Sequence, residues 1–124
     1  MKVALLTAGL LVSGSAALAQ DDSSGLSPRY LACQARAGNN TVQSGICAQA
    51  EMTSQDARLN KAYQQVMRQL ASKPQEKIAL RNYQRSWLRQ RDYECKVDQE
   101  TINSTCLVAK TATRANELEE QIRF

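Results

Sequence analysis

The sequence predicts an all-α fold: a small antiparallel helical bundle stapled by two disulfides. It comprises a long helical hairpin with a short N-terminal helix and a C-terminal helix. Three observations lead there. Apolar residues recur every three to four positions through the long segments. No stretch alternates with period two over a useful length, so no sheet is expected. Four cysteines, Cys33, Cys47, Cys95 and Cys106, follow an N-terminus that reads as an export signal.

Met1-Lys2 forms a short positive region, and Val3 to Val12 is apolar apart from Thr7 and Gly9. Ala17-Leu18-Ala19 before Gln20 gives the small-x-small pattern of a cleavage site. The apolar run is too short for a membrane span, which disfavours an N-terminal anchor. Lipoprotein processing needs a cysteine at the cleavage site, and the first cysteine is Cys33. Residues 1–19 are therefore expected to be a cleaved signal peptide, residues 20–26 a flexible tail, and residues 27–124 one helical domain. The protein is expected to be periplasmic or secreted and soluble, with no membrane anchor after cleavage.

Each helix has start and stop signals. Ser27-Pro28 places an N-cap before a proline in the first turn, and Gly38-Asn39-Asn40 ends a short helix at Ala37. Thr41 is read as the cap of a second helix running to about Ala71. Asn39-Asn40-Thr41 also fits a glycosylation acceptor, but here it is read as a turn and cap. Ser72 and Gln75 resemble a capping box around Pro74, and a third helix is expected from there to about Glu100. Its inward stripe is Leu80, Gln84, Trp87, Arg91 and Cys95. Thr101 to Thr105 reads as a turn, and a last helix runs from about Ser104 to about Ile122.

A short break near Ser72–Pro74 makes the second and third helices antiparallel neighbours. That register sets Asp56 level with Arg91, Asn60 with Trp87 and Tyr63 with Gln84. A structural polar seam of Asp56, Asn60, Tyr63, Gln84, Trp87 and Arg91 follows, with an Asp56–Arg91 pair and Asn60 and Gln84 hydrogen-bonding beside it. The same residues could instead line a cleft, but polar groups facing across a hairpin usually pair. Trp87 at an inward position reads as core.

All the cysteines except Cys33 fall toward the end opposite the Ser72–Pro74 turn by this placement. Of three possible connectivities, the sequence-local Cys33–Cys47 and Cys95–Cys106 pairing is favoured, since it staples both flanking helices to the hairpin. Zinc is a poor alternative: no pair is C-x-x-C and the chain has 0 histidines. No metal and no cofactor is expected. The chain also lacks a nucleophile elbow and a phosphate loop, and the seam sets an acid opposite an arginine rather than opposite a second acid, so no catalytic residue is assigned and no enzyme is expected.

Without Lys2 the chain keeps 15 basic against 12 acidic residues, a net charge of +3. Residues 57–91 carry nine bases against Glu76 alone, whereas residues 92–124 carry seven acids against four bases. Arg81, Arg85 and Arg89 form an i, i+4 row off the inward stripe. Such rows are usually solvated faces, and the functional alternative is a patch for an anionic envelope polymer. Nucleic acid is a poor partner in a periplasmic setting.

The ordered pieces Asp56-x-x-Leu59-Asn60-x-x-Tyr63 and Leu80-x-x-x-Gln84-x-x-Trp87-x-x-x-Arg91-Asp92-x-x-Cys95 lie between an upstream cysteine pair and Cys106 with Arg114-x-x-x-Leu118. This pattern, over roughly residues 33–118, resembles the LprI-like lysozyme-inhibitor family of small bacterial envelope proteins. The resemblance implies a helical, disulfide-bonded domain over residues 27–124 and inhibition of a lysozyme by protein–protein binding. The chain departs from the family in having no lipoprotein cysteine and no Gly-rich spacer between Cys95 and Cys106. Familiar lysozymes are strongly basic, so the basic hairpin would repel them. The acidic end, with Asp92, Glu94, Asp98 and Glu100 beside the disulfides and Glu51 on the neighbouring helix, is the expected contact. The competing reading is a periplasmic envelope-binding or scaffolding module that uses Arg81, Arg85 and Arg89.

Overall fold

The computed structural model describes residues 25–123. The expected signal peptide and residues 20–24 of the expected tail lie outside the described residues. Four helices follow one another: α1 (Pro28–Ala37), α2 (Thr41–Gln69), α3 (Pro74–Glu94) and α4 (Ser104–Glu120). No strand occurs among the described residues, and an isolated antiparallel bridge joins Lys96 to Ile102. The fold is all-α.

Capping explains most boundaries. Ser27 Oγ accepts from the Tyr30 amide and Pro28 occupies the first turn of α1. Gly38 ends that helix at φ 53°, a conformation glycine adopts without strain. The cap of α2 is Asn40 rather than the expected Thr41, and its side chain accepts from the Gln43 amide. The expected Ser72–Gln75 capping box does not form: Lys73 is the N-cap of α3, without a side-chain cap. The third helix also stops at Glu94, well short of Glu100. Asp98 Oδ1 accepts from the Glu100 and Thr101 amides, an Asx-type turn that competes with helix continuation. Residues 25 and 26 are not part of a loose tail. The Gly25 carbonyl accepts from Gln55 Nε2 at 2.9 Å, and Leu26 packs on the core. A side chain at Gly25 would run into the Arg58 guanidinium and Asn116.

The tightest pair in the bundle is α2 with α4, not α2 with α3. Small side chains permit this: Ala48 and Ala62 of α2 and Thr111, Ala112 and Ala115 of α4 are all buried. The two helices run parallel. Cys47 and Ala48 cluster with Val108, Leu59, Ala62 and Val66 cluster with Ala115 and Leu118, and Gln69 bonds the Arg123 backbone. On one flank Arg58 clamps Glu119 through Nε at 2.6 Å and Nη2 at 2.8 Å, and also donates to Asn116.

α1 runs antiparallel to the first half of α2, held by the Cys33–Cys47 bond and by Gln34–Ser44 hydrogen bonds. Its N-terminus rests on a buried acid. Glu51 accepts from the Ser27 amide at 2.7 Å and the Ser27 hydroxyl at 2.8 Å. A carboxylate at a helix N-terminus is favoured by the exposed amide dipoles there. Glu51 is therefore an internal strut, and not a member of the acidic surface expected from the sequence.

Candidate functional site

α3 is held to the bundle in an unusual way. Gln84 is its one buried residue among the described residues, and half-buried Leu80 and Trp87 pack on the cluster of Leu59, Ala62, Val66, Ala115 and Leu118. Two arginines add polar ties to this contact. Arg91 of α3 is only 12 % exposed at its side chain. Its Nη1 lies 3.7 Å from Asp56 Oδ1 of α2 and donates to Thr111 Oγ1 of α4 at 3.2 Å, while Nε donates to Asp92 at 3.0 Å. Its guanidinium also lies 5.5 Å from the centre of the Trp87 ring. Arg114 reaches the other way, from α4 to α3. It donates to Gln84 Oε1 at 2.9 Å and to Glu117 at 3.0 Å, and sits 4.7 Å from the Tyr83 ring centre.

The expected polar seam is thus redistributed. Asp56 and Arg91 lie together, and Trp87 and Tyr63 pack half-buried on the apolar cluster of Leu59, Ala62 and Val66. Asn60 does not join them: it is exposed, and Gln84 bonds Arg114 instead. The physical reason is spacing. α4 sits tightly on α2, so α3 spans both helices rather than nesting against α2 alone, and the arginines bridge the wider gap. Between α3 and α4 this leaves a groove of about 470 Å³ lined by Tyr83, Trp87, Arg91, Lys110 and Arg114.

The second feature is the disulfide end. Cys33 pairs with Cys47 and Cys95 with Cys106, with Cα atoms 5.8 and 5.5 Å apart. The Cys95–Cys106 bond closes a loop that is also cross-tied by Val97 N–H to the Thr101 carbonyl and Asn103 N–H to the Cys95 carbonyl, both at 2.9 Å. At 65 % exposure, Val97 stands out from this loop, with Ile102 at its base and Tyr93, 76 % exposed, just before it. Val97 and Ile102 share a groove of about 630 Å³ with the α1–α2 turn. Reading α3 through to Glu100 concealed these residues. The signal present in the sequence was two β-branched residues flanking an Asp-Gln-Glu-Thr turn.

The four acids expected at this end differ in availability. Asp92 accepts from Arg91. Glu94 pairs with Lys110 at 2.5 Å and accepts from Gln90. The hydrogen bond from Lys110, then that from Gln90, holds its carboxyl below the usual range. The Glu100 and Thr101 amides do the same for Asp98. Glu100 is exposed and carries no such side-chain bond. Along the outer side of α3, a face that Asp92 shares at i+3 from Arg89, Arg81, Arg85 and Arg89 are all exposed. Of these, Arg89 donates to Ser86 at 3.3 Å.

Among the described residues no cluster of acids, cysteines or histidines could hold a metal ion. No described helix is long and apolar enough to cross a membrane. Two surfaces stand out: a locked, partly apolar tip and a polar groove held by paired arginines.

Comparison with curated proteins and with solved structures returns no match. Residues 33–118 match the family model described as lysozyme inhibitor LprI. That span takes in the arginine-held seam and both disulfides, from Cys33 through Arg114 to Leu118. The chain belongs to the LprI lysozyme-inhibitor family.

Proposed function

We propose that this protein is exported, to the periplasm or beyond, and inhibits a lysozyme by binding it through the disulfide end of the bundle. The match to an inhibitor family carries the reading. The choice of surface rests on the Cys95–Cys106 loop. Interfaces combine a desolvated apolar centre with a polar rim. Tyr93, Val97 and Ile102 supply exposed apolar area, and Asp98 and Glu100 of the same loop outweigh the exposed Lys96 with negative charge. A basic lysozyme is steered toward such a surface and away from the arginine row. The disulfide and the internal turn order the loop before binding, which lowers the entropy lost on association.

The test is lysis of cell walls by several lysozyme types, with oxidised residues 20–124 as the inhibitor. Dose-dependent inhibition is expected, lost on reduction and alkylation. V97D/E100K should weaken it at least tenfold while the helical content is unchanged. Full lysozyme activity at a large molar excess would overturn the inhibitor reading. Inhibition insensitive to V97D/E100K would overturn the choice of surface.

A further inference from the structure

The face of α3 turned away from the bundle has a composition of its own. Leu80, Gln84, Trp87 and Arg91 point inward. Ile78, Arg81, Arg85, Leu88 and Arg89 fall on the other side at helical spacing, with Lys77 at the edge. Ile78 and Leu88 are exposed although both are large and apolar, and the three arginines between and beside them are exposed as well. One acid, Asp92, three residues beyond Arg89, shares this face, so the charge of the row is only partly offset from within. Glu76, the one acid in residues 57–91, pairs with Lys73 at 4.0 Å, and Asp92 at the far end accepts from Arg91. From Ile78 to Arg89 the row runs about 16 Å along a straight helix.

We propose that this face rests on a membrane surface rich in anionic phospholipid. The guanidinium groups of Arg81, Arg85 and Arg89 lie against headgroup phosphates, which their planar forks bind in bidentate fashion. Ile78 and Leu88 enter the interfacial layer between them. The apolar pair decides between a bilayer and a hydrophilic polyanion. A phosphate-bearing chain in water gives an exposed isoleucine and leucine nothing to contact, whereas a bilayer buries them. This surface is separate from the tip loop and does not depend on the inhibitor reading.

The experiment is co-sedimentation of the mature chain with vesicles. One set contains equal parts phosphatidylglycerol and phosphatidylcholine, the other phosphatidylcholine alone. Binding is expected to the first set only, weakening as salt is raised. Each arginine near an anionic surface contributes about fivefold to partitioning, so R81Q/R85Q/R89Q should lower it about 100-fold. I78S/L88S should lower it several-fold while leaving the salt dependence in place. Circular dichroism confirms that both variants fold, and lysozyme inhibition at physiological salt should stay within about twofold of wild type in both. Equal vesicle binding by wild type and R81Q/R85Q/R89Q would overturn the proposal. So would binding to soluble polyphosphate with no binding to phosphatidylglycerol vesicles, which would assign the face to a free polyanion.

Discussion

Replacing Cys95 and Cys106 by alanine separates the tip loop's shape from its sequence. The bond closes a loop of sequence separation 11. In the chain-entropy model, opening a loop of that size costs about 3 kcal/mol of stability. For a domain of about 100 residues this corresponds to a fall in Tm of about 10–20 °C. Afterwards only the Val97–Thr101 and Cys95–Asn103 backbone hydrogen bonds would hold the loop. Binding must then order a loose segment, and inhibition should weaken at least tenfold at a temperature where the protein is still folded. C33A/C47A is the matched control. Its loop, of separation 14, gives nearly the same entropy figure, but it fastens α1 rather than the tip. Thermal melts should show similar losses for the two variants, and lysozyme titrations should show a large loss only for C95A/C106A. Wild-type inhibition by folded C95A/C106A, or equal loss in both variants, would refute the assignment of the contact to the tip.

Glu51→Ala strips the acid from beneath α1 and leaves the Ser27 amide without its partner. A loss of about 2–3 kcal/mol is expected, with amide exchange accelerated through Pro28–Ala37 before the rest of the domain. Arg91→Met keeps contact with Trp87 but loses Asp56 and Thr111, and should cost about 1–3 kcal/mol by chemical denaturation. Asp56→Asn should cost under about 1 kcal/mol, because Asp56 is half exposed and exposed pairs contribute little. The depressed Asp98 carboxyl fixes the sign of a pH effect at the tip. The Asx turn is held above the ordinary aspartate range and is lost as pH falls through the lower folded-state value, that is, below about pH 4. The Glu100 and Thr101 amide resonances should report that transition, and Asp98→Asn should abolish it.

The sequence was legible where local chemistry decides the outcome. Ser27-Pro28 and Gly38 bound α1 because cap and φ requirements act within a few residues. The register placing Asp56 level with Arg91 followed from the turn length and helical pitch alone. Choosing the neighbour was harder. Consecutive helices with a short link read as a close pair, yet the alanines of α2 and α4 let those two approach more tightly. Small residues on a helix carry a weak hydropathy signal, so that preference was invisible. Arg114 was missed as a seam residue for the same reason: its partners, Gln84 and the Tyr83 ring, come from a helix whose position depends on the α2–α4 contact. Glu51 was misplaced because an isolated acid on a helix reads as surface unless the amides it accepts from are known.

The opposed charges of the tip and the α3 row also make a kinetic prediction. Along α3, Arg89 stands about 8 Å from Glu94 and Arg81 about 20 Å. At physiological salt the screening length is about 8 Å, so only Arg89 is felt appreciably at the tip. At 0.01 M salt it is about 30 Å, and the whole row should oppose a basic lysozyme. R81Q/R85Q/R89Q should therefore raise the association rate several-fold at low salt and less than about twofold at physiological salt. Rim charges act chiefly on the association rate. The dissociation rate should hold at both salt concentrations, because these side chains lie outside the proposed contact. Stopped-flow mixing with lysozyme measures both rates. A changed dissociation rate would mean that the row touches the enzyme, and the docking surface would have to be moved from the tip onto α3.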